Sequence, residues 1–179
     1  MKTQNAFTLI EIIVTLAVVA ILTMVALPNM RSMLLNNRII SKTNDFISAI
    51  NYVRTEAITR PSRNLQIQPI VQPIDTDWSN GWQIVEIISS TEQEIIKIFE
   101  YQNDQILIKK ISGKCSSTDH EHSICYKARG RIQNPYKFLV CNPDYPQGAR
   151  IVTIERVGRA STESCALGEG SCLSTCSAN

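Results

Sequence analysis

Three groups of residues in this 179-residue chain could do chemistry, and each suggests a different kind. Cys115, Asp119, His120, Glu121, His122 and Cys125 bring thiol, carboxylate and imidazole within eleven residues, the donor types of a zinc site. Glu11 stands alone in an apolar run. A charge there costs about 2.5–3.5 kcal/mol in a membrane helix and so needs a positive partner. Between residues 126 and 160, Lys127, Arg129, Arg131, Lys137, Arg150, Arg156 and Arg159 outnumber Asp144 and Glu155. Such an excess suits phosphate if the side chains share a face. No nucleophile–base pair and no phosphate-binding loop is readable, and both histidines fall in one polar stretch. We therefore expect no enzyme activity and no cofactor.

The elements that must hold these groups narrow the choice. Residues 7–27 are apolar apart from Glu11, and at ~1.5 Å per residue they span roughly 30 Å as a helix, the thickness of a bilayer core. A secretory signal peptide has a shorter apolar core, followed by a small-residue cleavage site. Lys2 lies on the short side of the run, which places the leader in the cytoplasm and the bulk of the chain in the periplasm, single-pass in the inner membrane. Pro28 should bend or locally melt the helix. Helical periodicity then returns, with Phe46, Ile47, Ile50, Val53 and Ala57 on one face, until Pro61 stops it.

From residue 64 the texture becomes strand-like, over 65–70, 82–88, 94–101, 105–111, 136–141 and 149–157. Tight turns are expected at Ser79-Asn80-Gly81 and Gln102-Asn103-Asp104. The tail from 161 to 179 reads as irregular. Arg54, Glu56 and Arg60 read as ordinary surface ion pairs, and Trp78 and Trp82 as packing residues. Overall this is an α+β chain with a leader at 1–6, a helix at 7–60 and a β-rich domain at 61–179. A net charge of +2 does not by itself imply nucleic acid.

All six cysteines (Cys115, Cys125, Cys141, Cys165, Cys172 and Cys176) lie in the last third, in the part expected to face an oxidising compartment. There they read as disulfides, with 15 possible connectivities. His120 and His122 would also point to opposite sides of an extended strand, so a Cys115–Cys125 bridge is favoured and no metal is expected. Cys141 should pair with a tail cysteine. Cys165 is favoured, which leaves Cys172 with Cys176; Cys172 and Cys176 remain alternative partners for Cys141.

Asn5-Ala6-Phe7-Thr8-Leu9-Ile10-Glu11 resembles the processing site of type IV pilins and type II secretion pseudopilins. The resemblance implies cutting between Ala6 and Phe7 by a prepilin peptidase and N-methylation of Phe7. It also implies a filament-core pairing of Glu11 with the positive amino terminus of a neighbour, and a kink at Pro28. The family usually has glycine before the cut, and this chain has Ala6. The implied fold is a long helix, half membrane-embedded and half laid on an antiparallel sheet domain with a disulfide-pinned tail. The implied partners are other minor and major pilins, the peptidase, the inner-membrane assembly platform and the membrane.

Later segments resemble the GspH/FimT/FimU family of minor pilins. They are Asn51 to Arg60, Asp77-Trp78-Ser79-Asn80-Gly81-Trp82, Phe138 to Asn142 and Arg150 to Arg159. This implies a pilus component at or near the tip. Two alternatives are a type II secretion pseudopilin and a DNA receptor of a transformation pilus. The FimT branch binds DNA through a C-terminal Gly-Arg-x-Arg motif, but here Gly158-Arg159-Ala160-Ser161 lacks the second arginine. Arg129, Arg131, Arg150, Arg156 and Arg159 are the candidate DNA contacts, and Arg129-Gly130-Arg131 can make up the loss only if the fold brings it near.

Overall fold

The computed structural model describes residues 8–70, 77–89, 91–101, 105–115, 122–165 and 176, with backbone alone at 25–29. Ala6, Phe7, the expected 102–104 turn, Asp119, His120, Glu121 and Cys172 lie outside the described residues. A single long helix, α1 (Leu9–Thr59), precedes the strands. The strands are β1 (Leu65–Pro69), β2 (Gly81–Ile87), β3 (Gln93–Glu100), β4 (Leu107–Ser112), β5 (Ile124–Lys127), β6 (Arg131–Ile132), β7 (Tyr136–Cys141), β8 (Arg150–Ile154) and β9 (Ala160–Ser164). The chain divides into two compact units, Met1–Leu35 and Asn36–Asn179.

In the first unit Thr8 caps the helix. Its Oγ1 accepts from the Glu11 N–H at 3.3 Å and its carbonyl accepts from the Ile12 N–H at 3.3 Å. With Glu11 three residues on, this is the sequence pattern of a capping box. The hydroxyls of Thr15 and Thr23 donate back to the Ile12 and Ala20 carbonyls, both at 2.9 Å, so neither needs a partner outside the helix. The aliphatic side chains stand in the open, from Leu9 at 76% exposure to Met24 at 78%. Among the described residues no helix is both long and apolar enough to cross a membrane; the described side chains of this run end at Met24. Helical backbone continues through position 28, so the local melting expected at Pro28 does not occur. A proline removes one ladder bond, and the turns on either side suffice to hold the helical path.

The second unit forms because the later half of α1 has an apolar face and both sheets have one. Ile39, Phe46, Ala49, Ile50, Val53 and Ala57 are buried, with Ile47 half-buried at the margin. The sheets have strand orders β3-β2-β1-β5-β6 and β4-β7-β8-β9, and every neighbouring pair is antiparallel. Phe46 packs edge-on against Trp78, Trp82 and Phe138, with ring centroids 5.7, 5.0 and 4.9 Å away. Both tryptophans are fully buried, as their reading as packing residues requires.

The turn before β2 ties the sheets together. Gly81 N–H donates to the Trp78 carbonyl at 3.1 Å, and the Trp78 N–H donates to the Ile108 carbonyl on β4 at 2.7 Å. Gly81 has φ +120, and a Cβ there would lie 2.0 Å from the Phe99 carbonyl oxygen, so this turn requires glycine. Lys42 on α1 is 2% exposed, and its Nζ donates to the Ser79 and Ile106 carbonyls at 2.8 and 2.9 Å, clamping the same junction from the helix side.

Three strands were not expected from the sequence: β5, β6 and β9. β9 overturns the irregular tail at its start, and it also corrects the disulfide pairing. β8 lies between β7 and β9, so Cys165, just past β9, is two strand spacings from Cys141 at the end of β7. Strands sit about 4.8 Å apart, and a disulfide needs its Cα atoms within about 7 Å. Cys141 instead bonds Cys176, one of the alternative partners left open, with Cα atoms 6.1 Å apart, so the favoured Cys141–Cys165 and Cys172–Cys176 pairs do not form. Cys165 is also disulfide-bonded. Leu139, Cys141, Ala149, Cys165 and Cys176 form a second small apolar cluster.

Candidate functional site

Two places carry the expected functional residues, one in each unit. At the helix start Glu11 lies in the first turn of α1, close to the partial positive charge of the helix N-terminus. Its carboxylate is exposed, as are the aliphatic residues that follow. The Thr8 cap beside it was not foreseen, although Thr8-Leu9-Ile10-Glu11 spells the capping pattern outright.

In the second unit the fold gathers most of the basic candidates. The β5–β6 hairpin, which carries Lys127, Arg129 and Arg131, abuts the turn between β8 and β9, which carries Arg156 and Arg159. The Ile132 N–H donates to the Arg156 carbonyl at 3.1 Å. The buried Tyr126 hydroxyl donates to the Gly158 carbonyl at 3.1 Å, and Arg54 Nε donates to the Val157 carbonyl at 3.3 Å. Burial pushes the Tyr126 phenol well above its ordinary range, so it stays protonated and keeps donating. Gly130 and Gly158 both have positive φ, and a Cβ on Gly158 would sit 1.9 Å from the Gly130 carbonyl oxygen. The two turns are thus interlocked backbone to backbone. Arg129 has φ +66, which a side-chain-bearing residue adopts only when its surroundings impose it.

Lys127, Arg129, Arg131, Arg156 and Arg159 are all exposed at this end. Arg150 is not part of the group. It is half-buried at the far end of β8, on the same face as the core residues Val152 and Ile154. Lys137 projects from the other face of β7, opposite Thr153. Arg54 also departs from its expected role. Glu56 pairs with Arg60 at 3.7 Å and with Arg63 at 3.6 Å, whereas Arg54 reaches the Val157 backbone. Arg63 also bonds Glu86, and that hydrogen bond raises its guanidinium pKa.

The sequence cluster around His120 is not gathered into a metal centre by the described residues. Cys115 and Cys125 are joined as a disulfide, Cα atoms 5.6 Å apart, so neither is a thiolate. Among the described residues no group of three or more metal-ligating side chains converges.

An exposed apolar helix start that continues into a helix packed on two antiparallel sheets is the layout of a pilin-type filament subunit. Two crystal forms of the type IV minor pilin FimU from Pseudomonas aeruginosa strain PAO1 share the fold at 21% sequence identity. In one the match covers 69% of this chain and 90% of that one, with TM-score 0.53; in the other 71% and 89%, with TM-score 0.56. Residues 1–27 match the prokaryotic N-terminal methylation motif. Residues 42–158 match the type II transport protein GspH, and the chain belongs to the GspH family. Among curated proteins nothing matches.

Proposed function

We propose that this chain is a minor pilin that assembles through its N-terminal helix into a type IV pilus, at or near the tip, and supports pilus biogenesis. A prepilin peptidase removes residues 1–6 by cutting between Ala6 and Phe7, and Phe7 is then methylated. Before assembly the helix anchors the chain in the inner membrane, single-pass, with the β domain in the periplasm. Its partners are other minor and major pilins and the assembly platform. Its role is structural. The methylation motif carries this reading, because it spans the helix start whose exposed aliphatic side chains, from Leu9 to Met24, need cover from lipid or from neighbouring helices. Intact-mass measurement of pilus fractions should find the chain shortened by residues 1–6 and carrying one methyl group. An intact leader on assembled protein would sink the reading.

A second reading, a DNA receptor on a transformation pilus, is favoured by one observation: Arg129-Gly130-Arg131 lies beside Arg156 and Arg159. It is weakened by the inward Arg150 and by Ser161 at the position of the second motif arginine. We expect the purified full chain in detergent to bind duplex DNA weakly or not at all at physiological salt. Sub-micromolar binding that falls steeply with salt and is lost in Arg159→Ala would promote the receptor instead. Duty as a type II secretion pseudopilin follows equally from the family description. A deletion strain that keeps its pili and stops exporting enzymes would favour that duty.

A further inference from the structure

We infer that Asn80–Gly81 is a modification site, at which the chain deamidates itself whenever the turn before β2 opens and is held from doing so while that turn is closed. The inference rests on the fold and does not depend on the pilin reading.

The sequence contains one Asn–Gly step. An asparagine amide is open to attack by the backbone nitrogen that follows it, and glycine, having no Cβ, leaves that nitrogen unscreened. In the reaction the Gly81 nitrogen loses its proton and bonds Asn80 Cγ. The Cγ–Nδ2 bond breaks and ammonia leaves. Water, the only co-reactant, then opens the five-membered imide at one of its two carbonyls. One product is aspartate. The other, isoaspartate, routes the main chain through Cβ and Cγ and lengthens it by one carbon.

Asn80 is exposed, so water is at hand. What the fold withholds is the attack. The Gly81 N–H donates to the Trp78 carbonyl at 3.1 Å, closing a turn with Asn80 in its third position. The Asn80 carbonyl accepts from the Tyr101 N–H at 3.0 Å, and the Gly81 carbonyl accepts from the Ile70 N–H at 3.2 Å. The Asn80–Gly81 peptide is therefore held on both sides, and its plane cannot turn to bring the nitrogen onto Cγ. The residue before it is fixed as well. The Ser79 N–H donates to Asp77 Oδ1 at 2.8 Å, and the Ser79 carbonyl accepts from the buried Lys42 Nζ at 2.8 Å.

Isoaspartate does not fit back into this turn. Gly81 is buried, and a carbon added to its Cα would lie 2.0 Å from the Phe99 carbonyl oxygen. A longer main chain before Gly81 shifts the residue within that space and draws its N–H off the Trp78 carbonyl. The Trp78–Ile108 hydrogen bond beside it ties the turn to β4, so the converted chain loses part of the junction between the sheets. Aspartate at position 80 keeps the chain length and leaves the turn closed. Conversion to isoaspartate thus records opening of the junction irreversibly.

The test incubates the full chain in detergent at mildly alkaline pH and follows residue 80 by peptide mapping with an isoaspartyl-specific methyltransferase. Conversion in the folded chain should be at least about a hundredfold slower than in the same chain unfolded in urea, since attack waits on opening. Lys42→Met removes the charged clamp on the Ser79 carbonyl and should raise the folded-state rate about tenfold. Urea below the unfolding transition gives the same test without a substitution: the rate should climb with its concentration. Asn80→Asp should unfold at nearly the parent's urea midpoint, whereas the isolated isoaspartyl fraction should unfold at a lower one. A folded-state rate equal to that of the unfolded chain would overturn the proposal. So would a rate indifferent to both Lys42→Met and urea, or an isoaspartyl fraction as stable as the parent.

Discussion

Glu11→Ala is expected to leave removal of residues 1–6 unchanged and to lower incorporation into filaments by about two orders of magnitude. An unpaired carboxylate among aliphatic side chains is penalised by about 2.5–3.5 kcal/mol, and each 1.4 kcal/mol is about a factor of ten. If a neighbour's amino terminus relieves that penalty, the paired register is favoured over shifted ones by a similar amount. Aliphatic packing supplies little such preference. The helix itself offers a competing role, because a carboxylate in the first turn is worth about 0.3–1 kcal/mol against the helix dipole. Thr8→Val separates the two. It removes the cap that accepts from the Glu11 N–H and costs about 1 kcal/mol of local helix, yet it keeps the carboxylate. Quantifying sheared pilus against membrane pools for both variants decides the matter. Incorporation near normal in Thr8→Val and nearly abolished in Glu11→Ala is the expected pattern. Normal incorporation of Glu11→Ala would mean the charge sets no register here.

Why some of the molecule was readable in advance, and some not, follows from the range of the interactions involved. The α1 face was legible because Phe46, Ile50, Val53 and Ala57 repeat at helical spacing, and period is a local property. The 78–81 turn was legible because Gly81 marks it. β5 and β6 were not, because each is short and held by pairing partners far along the chain: β5 by β1, and β6 by the Arg156 carbonyl. β9, with the sequence Ala160-Ser161-Thr162-Glu163-Ser164, has almost no apolar alternation, and its strand geometry comes from its ladder with β8. That single omission caused the disulfide error, since nothing in cysteine spacing shows a strand inserted between two of them. The basic end shows the same divide. The arginines and glycines are visible in sequence, but only the Gly130–Gly158 approach shows that two segments almost thirty residues apart act as one surface. Arg150 looks like its neighbours in sequence, and only its parity on β8 turns it inward.

The largest stability loss is expected for Phe46→Ala, about 3–5 kcal/mol for the second unit. Phe46 is fully buried and meets both tryptophans and Phe138 at once. Trp82 belongs to the five-stranded sheet and Phe138 to the four-stranded one, so the ring fills the space where helix and both sheets converge. Edge-to-face pairs add about 0.5–1.5 kcal/mol beyond area burial, and truncation forfeits three of them. The vacated volume cannot easily collapse. Lys42 and the Trp78–Ile108 hydrogen bond hold the junction from outside, and Trp78 and Phe138 already brace each other at 5.1 Å. Chemical denaturation followed by tryptophan fluorescence measures the loss directly, because both tryptophans line the site. In a unit of this size each kcal/mol lowers Tm by roughly 2–4 °C. Ile98→Ser, at a residue half exposed on the β3 edge, should stay within about 0.5 kcal/mol of the parent under the same conditions. A loss below about 1 kcal/mol for Phe46→Ala would mean that the sheets hold each other without the helix ring, and that the bond from Trp78 to Ile108 is the stronger tie.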